Sequence, residues 1–389
     1  MFWEKEGKLI YSYDGETVCI EAWGKDALRV RATKNRSFTG RDWALEAKDA
    51  HAGEVEIFED PSAKGGAFAN MYEGTDTSYG KITNGKLHAV IDSGSVITFY
   101  HEDGRVLLKE HFRRLRDEES MPLNIMGREY SNGVGDNFRI VARFVARKGE
   151  KIFGMGQYQQ HELDLKGCML ELAQRNSQVS VPFYLSSIGY GFLWNNPGVG
   201  QVMFANNGTE WVTESGKEID YLVIAGDTPA EIEENYMTLT GKPPMMPEYG
   251  MGFWQCKLRY WNQEQLLSVA RKYKELGVPL DVIVVDFFHW TKQGEFKFDP
   301  KYWPDVPGMC RELKEMGIQV VVSVWPTVDI YSENFEEMKE KGYLVRTEHG
   351  VPLTMLCGGN EVFFDATNPD ARTYVWEKIK KNYCLLYTS

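Results

Sequence analysis

The 389-residue sequence lacks the cysteine and histidine patterns on which metal centres and disulfide frameworks depend. Its six cysteines lie far apart without a C-x-x-C pair, and its seven histidines form no H-E-x-x-H motif. Structural zinc sites need such ligands at short spacings, and disulfide-rich domains need dense cysteines. The sequence therefore predicts free thiols, no metal site and no cofactor.

Long apolar runs and an excess of positive charge are also missing. No stretch reaches the roughly 18 apolar residues of a membrane helix, and the first residues lack the apolar run of a secretion signal. Lys and Arg total 44 against 56 Asp and Glu, and the resulting net charge of -12 repels phosphate backbones. Residues 154–156 read G-x-G without completing a dinucleotide fingerprint. We expect a soluble, cytoplasmic protein without nucleic-acid or membrane partners.

The pattern of apolar and polar residues changes between the two halves of the sequence. From Met1 to about Gly226, short runs of β-branched and aromatic residues alternate with Gly, Asn and Asp, which is typical of an antiparallel β-sandwich. Thr228 and Pro229 then open a closing helix. The three prolines within residues 243–247 exclude both a helix and a central strand. We therefore predict a first domain of residues 1–243.

The second half alternates strands and helices, which indicates parallel βα units. The predicted order is strand 250–255, helix 262–276, strand 280–286, helix 306–316 and strand 319–325. Asn262 is the expected cap of the first of these helices, and Gly277 is its expected stop. The pattern predicts the first three βα units of a (β/α)8 TIM barrel in residues 244–383.

Polar and aromatic residues follow each predicted barrel strand, where the active sites of such barrels form. Asp286 comes after four apolar β-branched residues and would be costly to bury without a partner. It is expected to face the barrel mouth, and the alternative is a carboxylate that anchors a loop. Trp325 is either a platform for a sugar ring or a core residue.

Aromatic rings mixed with charged groups suit a sugar, which packs its C–H faces on rings and offers hydroxyls to charged partners. Trp254 and Phe288 are further aromatic candidates for substrate binding. Arg259 could hold a substrate hydroxyl or carboxylate, or it could pair with an Asp or Glu. His289 is expected to be a wall residue rather than a base, and Asp365 is expected to serve a turn.

These features resemble glycoside hydrolase family 31 over about residues 151–383. The matching motifs are residues 153–157, 181–184 and 189–196 in the first half, and residues 284–286, 298–300, 303–305 and 365–369 in the second half. The resemblance implies a galactose-mutarotase-like β-sandwich followed by the first part of a TIM barrel. It also implies that Asp286 binds hydroxyls of the sugar in the -1 subsite. Residues 172–178 match a family loop that reaches over the barrel mouth, which makes Arg175 a candidate substrate contact.

The resemblance implies retaining, exo-acting hydrolysis of α-glycosides in small oligosaccharides. Residues 253–256, 287–288 and 323–326 are similar to the α-xylosidase members, so an α-xyloside is the predicted substrate. An α-glucosidase of the same family is the alternative, because one CH2OH group is worth only about 1–3 kcal/mol of discrimination. The alternative of another class is a non-catalytic carbohydrate-binding protein.

Retaining hydrolysis uses two carboxylates about 5 to 5.5 Å apart. In the family both are aspartates, and both follow the motifs that this sequence matches, so no catalytic residue is assigned here. The sequence departs from the family pattern at Cys384, and we expect residues 384–389 to be a non-native tail. The expectation is thus a truncated, catalytically incomplete N-terminal fragment of an enzyme whose longer parent could form oligomers. Three of eight strands leave an open edge that favours aggregation.

Overall fold

A computed structural model describes residues 1–46, 49–61, 77–111, 126–347, 349–354 and 360–383. The chain divides into two compact units, unit 1 (Met1–Pro243) and unit 2 (Pro244–Ser389). The division falls between two prolines, which lack the backbone N–H that would continue a helix or a sheet. The expected tail at residues 384–389 lies outside the described residues.

Unit 1 consists of β-strands followed by one helix in the part of the chain that the structure describes. In chain order its strands are β1 (Phe2–Lys5), β2 (Lys8–Tyr13), β3 (Glu16–Trp23), β4 (Ala27–Thr33), β5 (Ala50–His51), β6 (Glu54–Phe58), β7 (Tyr79–Asn84), β8 (Leu87–Asp92), β9 (Ile97–His101), β10 (Val106–Lys109), β11 (Arg128–Asn132), β12 (Phe138–Phe144), β13 (Ile152–Gln157), β14 (Met169–Leu172), β15 (Val179–Ser186), β16 (Tyr190–Trp194), β17 (Gly200–Ala205), β18 (Gly208–Gly216) and β19 (Ile219–Ala225). The helix is α1 (Pro229–Thr240).

Antiparallel pairing joins the described strands of unit 1 into three sheets. The largest has the order β1-β2-β3-β4-β19-β16-β15-β13 with β5 beside β3, the second runs β10-β9-β8-β7-β6, and the third runs β11-β12-β18-β17-β14. Their inner faces share one apolar core, in which the Phe192 ring stacks 5.2 Å from both Trp211 and Tyr221. The predicted antiparallel sandwich is therefore confirmed.

A buried ion pair lies within the large sheet. Arg29 of β4 donates two hydrogen bonds to Asp220 of β19, at 3.0 Å and 2.7 Å, and Asn195 donates a third at 2.9 Å. Arg29 also donates to Asp42 at 2.8 Å. Burial raises the pKa of Asp220 to about 6, although the hydrogen bonds and charge of Arg29 oppose that rise.

Unit 2 contains alternating parallel strands and helices. Its described elements are a 3-10 helix (Glu248–Met251), β20 (Trp254–Gln255), α2 (Gln263–Glu275), β21 (Val282–Val285), α3 (Val306–Glu315), β22 (Gln319–Val322), β23 (Thr327–Asp329), α4 (Phe335–Glu340), β24 (Glu361–Phe363) and α5 (Pro369–Tyr383). β20, β21 and β22 pair in that order and in parallel, with α2 and α3 as the crossover helices. This is the predicted βα alternation of the first part of a TIM barrel. None of the described helices is long and apolar enough to cross a membrane.

Two helices begin at the capping residues that the sequence predicts. Thr228 accepts a hydrogen bond from the backbone N–H of Glu231 at the start of α1, and Asn262 accepts one from Gln265 at the start of α2. Each cap supplies an acceptor for a backbone donor that the first turn of a helix leaves unpaired. The predicted start of both helices is therefore confirmed.

The predicted strand 250–255 is wrong over its first half. Gly250 donates its backbone N–H to Pro247 and Gly252 donates to Tyr249, so this segment closes a 3-10 helix instead of extending. Only Trp254 and Gln255 pair with β21. The predicted strand 319–325 is also too long, because β22 ends at Val322. Short edge strands such as β20 have a partner on one side only, and local turn bonds compete with them successfully.

Candidate active site

The parallel register of unit 2 brings the C-terminal ends of its strands to one edge of the sheet. Val285 of β21 pairs with Val322 of β22, so Asp286 and Ser323 are the first residues beyond the two strands. The backbone N–H of Ser323 still donates to Val285 at 2.9 Å, which holds the two strand ends level. Cys256 directly follows β20. The central strand therefore presents Asp286 at the edge where barrel active sites form.

Asp286 is half-buried and keeps most of its capacity to accept hydrogen bonds. One carboxylate oxygen accepts from the backbone N–H of Phe287 at 2.8 Å, and the other lies 3.7 Å from the Cys256 thiol. No Lys, Arg or His side chain of the described residues lies within 4.0 Å of this carboxylate. A carboxylate has about four lone-pair positions. The loop-anchoring alternative thus accounts for one bond and leaves acceptors for a ligand hydroxyl.

Three aromatic side chains form a cluster around Phe287, the residue next to Asp286. Phe287 stacks on Trp325 with ring centroids 5.4 Å apart and planes 12° apart, and it contacts Phe288 at 4.3 Å. Trp325 is half-buried and Phe288 is 51% exposed, so neither ring is sealed in a core. The structure therefore brings three predicted site residues, Asp286, Phe288 and Trp325, to the same group of side chains.

Arg259 lies between two aromatic rings. Its guanidinium carbon is 3.9 Å from the ring centre of Trp261 and 5.0 Å from that of Phe288, and Nη1 donates to the carbonyl of Phe288 at 3.3 Å. Within the described residues Arg259 has no Asp or Glu within 4.0 Å, so the expected alternative of an ion pair is not what holds it. Sequence reasoning did not select Trp261, because residues 259–261 lie beyond β20 and no local pattern shows that the ring of Trp261 faces Arg259.

The backbone of Phe288 has a φ of 62°, in the left-handed region that bulky residues rarely adopt. Such conformations are held by their surroundings and recur at binding sites. The hydrogen bond from Arg259 to the Phe288 carbonyl is one such restraint. Arg259 therefore acts on Phe288 directly, whether or not it also reaches a ligand.

His289 restrains the loop that follows Asp286 through hydrogen bonds of both ring nitrogens. One ring nitrogen, Nδ1, lies 3.3 Å from the carbonyl oxygen of Asp286, and the other, Nε2, lies 2.8 Å from the hydroxyl of Tyr383. A carbonyl only accepts, so Nδ1 carries the proton and Nε2 accepts from the tyrosine. Burial lowers the pKa of His289 to about 4 against a smaller opposing effect of Asp286. The ring is neutral and structural, which agrees with a wall residue and not a base.

Cys256 contributes a protonated thiol next to Asp286. Partial burial and the negative charge of Asp286 both raise the pKa of this thiol. It is one of four described cysteines, and all four are free: Cys19, Cys168, Cys256 and Cys310. The described residues contain no group of three His, Cys, Asp or Glu side chains that could hold a metal ion.

Trp254 lies away from this group within unit 2, and Arg175 is described within unit 1 alone. Trp254 pairs with Val282, four residues before Asp286, which corresponds to about 13 Å along a strand. Its indole N–H donates to the carbonyl of Gly250. Arg175 belongs to unit 1, where it is exposed and donates two hydrogen bonds to Glu171, at 2.9 Å and 2.5 Å. Substrate contacts of both residues stay predictions.

Asp365 has the turn role that its sequence context predicts. One carboxylate oxygen accepts from both the backbone N–H and the hydroxyl of Thr367, at 2.9 Å and 2.6 Å. Asn368 then accepts from the backbone of Asp370 in the first turn of α5. These bonds shape the start of α5.

Known proteins match both units. Residues 17–202 match the glycosyl hydrolase 31 N-terminal galactose mutarotase-like domain, and residues 243–387 match the glycosyl hydrolases family 31 TIM-barrel domain. The uncharacterized family 31 glucosidase ORF2 of Pseudescherichia vulneris is 43% identical over 98% of this chain and 70% of its own length. Alpha-xylosidase A of Aspergillus niger is 30% identical over 95% of this chain and 50% of its own length.

A solved structure agrees with these matches. The GH31 alpha-xylosidase from a soil metagenome, complexed with xylose, is 46% identical with a TM-score of 0.88, over 99% of this chain and 56% of that chain. The chain thus spans between 50% and 70% of the length of these three relatives. All three are named as glycosidases, which hydrolyse O-glycosyl bonds. The chain belongs to glycoside hydrolase family 31.

Proposed function

We propose that this chain is part of a retaining, exo-acting α-glycoside hydrolase that prefers α-xylosides and acts on small oligosaccharides. The observation that carries the proposal is the half-buried carboxylate of Asp286 at the end of the central parallel strand. It has acceptors left for hydroxyls, and the partly exposed rings of Phe288 and Trp325 lie in the same cluster of side chains. A carboxylate beside aromatic rings suits the hydroxyls and C–H faces of a sugar.

In this proposal Asp286 holds hydroxyls of the non-reducing sugar and Trp325 packs against its ring. Cys256 narrows the space beside Asp286, because its sulfur lies 3.7 Å from the carboxylate. Arg259 and Phe288 border the site as a stacked pair. Asp286 is a substrate ligand here and not the nucleophile, since the matched motif implies hydroxyl binding.

The preference for xylose rests on two of the relatives, which are named as α-xylosidases, one of them solved with xylose. An α-glucosidase is the second candidate, because the relative that is 43% identical is named as a glucosidase. The two sugars differ by a CH2OH group, and a pocket rejects such a group by about 10- to 200-fold. We also propose that these 389 residues bind sugar without hydrolysing it, because the resemblance assigns both catalytic aspartates to segments that this sequence does not match.

Calorimetric titration of the 389-residue protein with D-xylose and D-glucose tests the proposal. We expect D-xylose to bind about tenfold more tightly than D-glucose. Asp286→Asn is expected to weaken xylose binding by about 10- to 100-fold, because hydrogen bonds to a charged group are worth about 1.5–3 kcal/mol. Asp370→Asn, which removes an exposed carboxylate in the first turn of α5, is the matched control and leaves binding unchanged.

Two results would contradict the proposal: equal binding of both sugars would favour the glucosidase candidate, and an unchanged affinity in Asp286→Asn would remove Asp286 from the site. Release of p-nitrophenol from p-nitrophenyl α-xyloside and α-glucoside, measured on the same preparation, tests turnover. Hydrolysis by this protein would overturn the proposal that it binds without turnover.

A further inference from the structure

Unit 1 carries a surface cavity of about 230 Å³ whose walls come from three segments of chain, residues 158–160, residues 169–171 and Gln178. It is lined chiefly by Tyr158, Gln159, Gln160, Met169, Glu171 and Gln178. β13 ends the large sheet and β14 ends the third sheet, and the cavity forms where residues after β13 meet β14. Edge strands leave backbone groups unpaired, so side chains from elsewhere can bond to them.

Hydrogen bonds hold two of these three segments, residues 158–160 and residues 169–171, together. The hydroxyl of Tyr158 donates to the carbonyl of Glu171 at 2.9 Å, across from one segment to the other. Ser180 lies 2.7 Å from the same hydroxyl, and it donates, because the only hydrogen of Tyr158 is already used. The cavity therefore has a fixed shape at its base.

The lining has the chemistry of a site for a neutral, hydroxyl-rich ligand. Three glutamine amides offer both donors and acceptors, as sugar hydroxyls require. The ring of Tyr158 and the 64% exposed side chain of Met169 offer apolar contact for a C–H face. Glu171 is compensated by two hydrogen bonds from Arg175, and no lysine or arginine is among the described residues that line the cavity. An anionic ligand would find no free cation among those lining residues.

We propose that this cavity binds one neutral pyranose ring, as a second carbohydrate site carried entirely by residues of unit 1. Its volume is below the range of about 300–1,000 Å³ for sites of drug-sized ligands, which favours one ring over a longer chain. The inference does not rest on hydrolysis or on Asp286. We expect a small, open polar site of this kind to bind at about 1–10 mM.

NMR of the whole protein with 13C-methyl methionine tests the proposal. Met169 lines the cavity, so its methyl resonance, assigned through Met169→Leu, is expected to shift and saturate as D-xylose or D-glucose is added. Met126 is also exposed in unit 1 but lies outside the lining, and its resonance is expected to stay in place. Glycerol and inorganic phosphate are the comparison ligands and are expected to cause no saturable shift.

A double variant, Gln159→Ala with Gln160→Ala, is expected to weaken the binding seen at Met169 by about fivefold or more, the effect of one lost hydrogen bond. Gln201→Ala is the matched control, because Gln201 lies opposite Glu171 on β17 yet does not line the cavity. An equal loss in the control would overturn the assignment of the cavity.

Alkylation of Cys256 separates this inference from the proposed function. If xylose slows that alkylation but leaves Met169 unshifted, the unit 1 site is refuted and the Asp286 site is retained. If Met169 shifts and Cys256 is not protected, the unit 1 site is supported and the Asp286 site fails. A Met169 shift that glycerol reproduces would mean a non-specific solvent effect and would also refute the unit 1 site.

Discussion

A carboxylate oxygen of Asp286 lies 3.7 Å from the sulfur of Cys256, close enough for its charge to raise the pKa of the thiol. The thiolate is the reactive form of cysteine, and burial together with the charge of Asp286 disfavours it. We therefore expect Asp286→Asn to lower the pKa of Cys256 and to speed its alkylation by iodoacetamide at pH 8. Mass spectrometry of the modified peptide gives the rate.

Cys168 is the internal control for this measurement. Its pKa is also raised, by burial and by Glu162 and Asp164, and Asp286 is not among the causes. Its alkylation rate should be the same in both proteins. A uniform acceleration of both cysteines would instead indicate loosening of the fold.

His289 makes the stability of unit 2 depend on pH. Unfolded histidine has a pKa of about 6.5, whereas the folded value is about 4. Above pH 6.5 both states are neutral and the stabilising effect is complete. As the pH falls below 6.5 the unfolded state takes up the proton first, so stability is lost until about pH 4, by about 3 kcal/mol in total.

A variant that does not titrate isolates this effect. The difference in unfolding free energy between the natural protein and His289→Gln should shrink by about 3 kcal/mol between pH 7 and pH 4. Urea unfolding at a series of pH values measures it. Parallel curves for the two proteins would show that folding does not lower the pKa of His289.

Single residues could be predicted where a local pattern marks them. Asp286 directly follows the apolar run of β21, and that position alone identifies a strand end, whereas Trp325 lies three residues beyond the end of β22 at Val322. Trp254 lies in β20 itself, but its position along the sheet depends on pairing with Val282, which no local pattern gives. The bond between His289 and Tyr383 joins residues 94 positions apart and has no signature in the sequence.

Among the elements, helix ends depend on few atoms and are therefore the most predictable. Asn262 caps α2 through one hydrogen bond of 2.9 Å to the backbone of Gln265. Asn262→Ala is expected to destabilise the protein by about 1 kcal/mol, because it leaves that donor unpaired in the first turn. Urea denaturation measures the loss.

Asn262→Asp is the conservative counterpart of this change. Aspartate keeps the acceptor and adds a negative charge near the helix N-terminus, where the macrodipole favours it. Its stability should equal or exceed that of the natural protein. A loss as large as that of the alanine variant would mean that the amide group serves another purpose.

Strand ends were predicted less well than helix ends. The 3-10 helix Glu248–Met251 arose because Pro247 and its neighbours satisfy each other locally, and the strand pattern that follows has only one partner strand. In contrast, β21 is buried and has β20 and β22 on its two sides, and its existence was predicted. The number of pairing partners thus decides how far an apolar run becomes a strand.

Over the whole molecule, pairings between distant parts of the chain were beyond prediction. The sandwich class follows from strand spacing, yet the order of strands in the large sheet places β4 beside β19. Arg29 and Asp220, which connect these two strands, are 191 residues apart in the sequence. A pairing of complementary charges at such a sequence separation cannot be predicted until the order of the strands in the sheet is known.

Substitutions of Arg29 and Asp220 are expected to have strongly coupled effects on the free energy of unfolding. Removing one partner by Arg29→Met or Asp220→Leu should cost about 3–5 kcal/mol, because either change breaks a buried ion pair. The double variant should cost clearly less than the sum of the two, since neither residue of the pair is then left without the other. Urea unfolding followed by fluorescence of the buried Trp194 and Trp211 measures the cycle.

Additive losses would contradict that expectation. Lys81→Met and Glu56→Leu provide the comparison, because this pair is also bonded across two strands, at 2.8 Å, but lies partly exposed. Exposed pairs contribute about 0–1 kcal/mol, so little coupling is expected there.

The pairing of β4 with β19 also delays completion of the large sheet while the ribosome synthesises the chain. β4 is complete at Thr33, but the strand that covers its edge begins at Ile219. At about 5–20 residues per second, the ribosome needs roughly 10 to 40 s to bridge that gap. Throughout this interval the nascent N-terminal strands present an unpaired edge, which makes them natural clients for chaperones that shield β-rich segments until residue 225 has emerged.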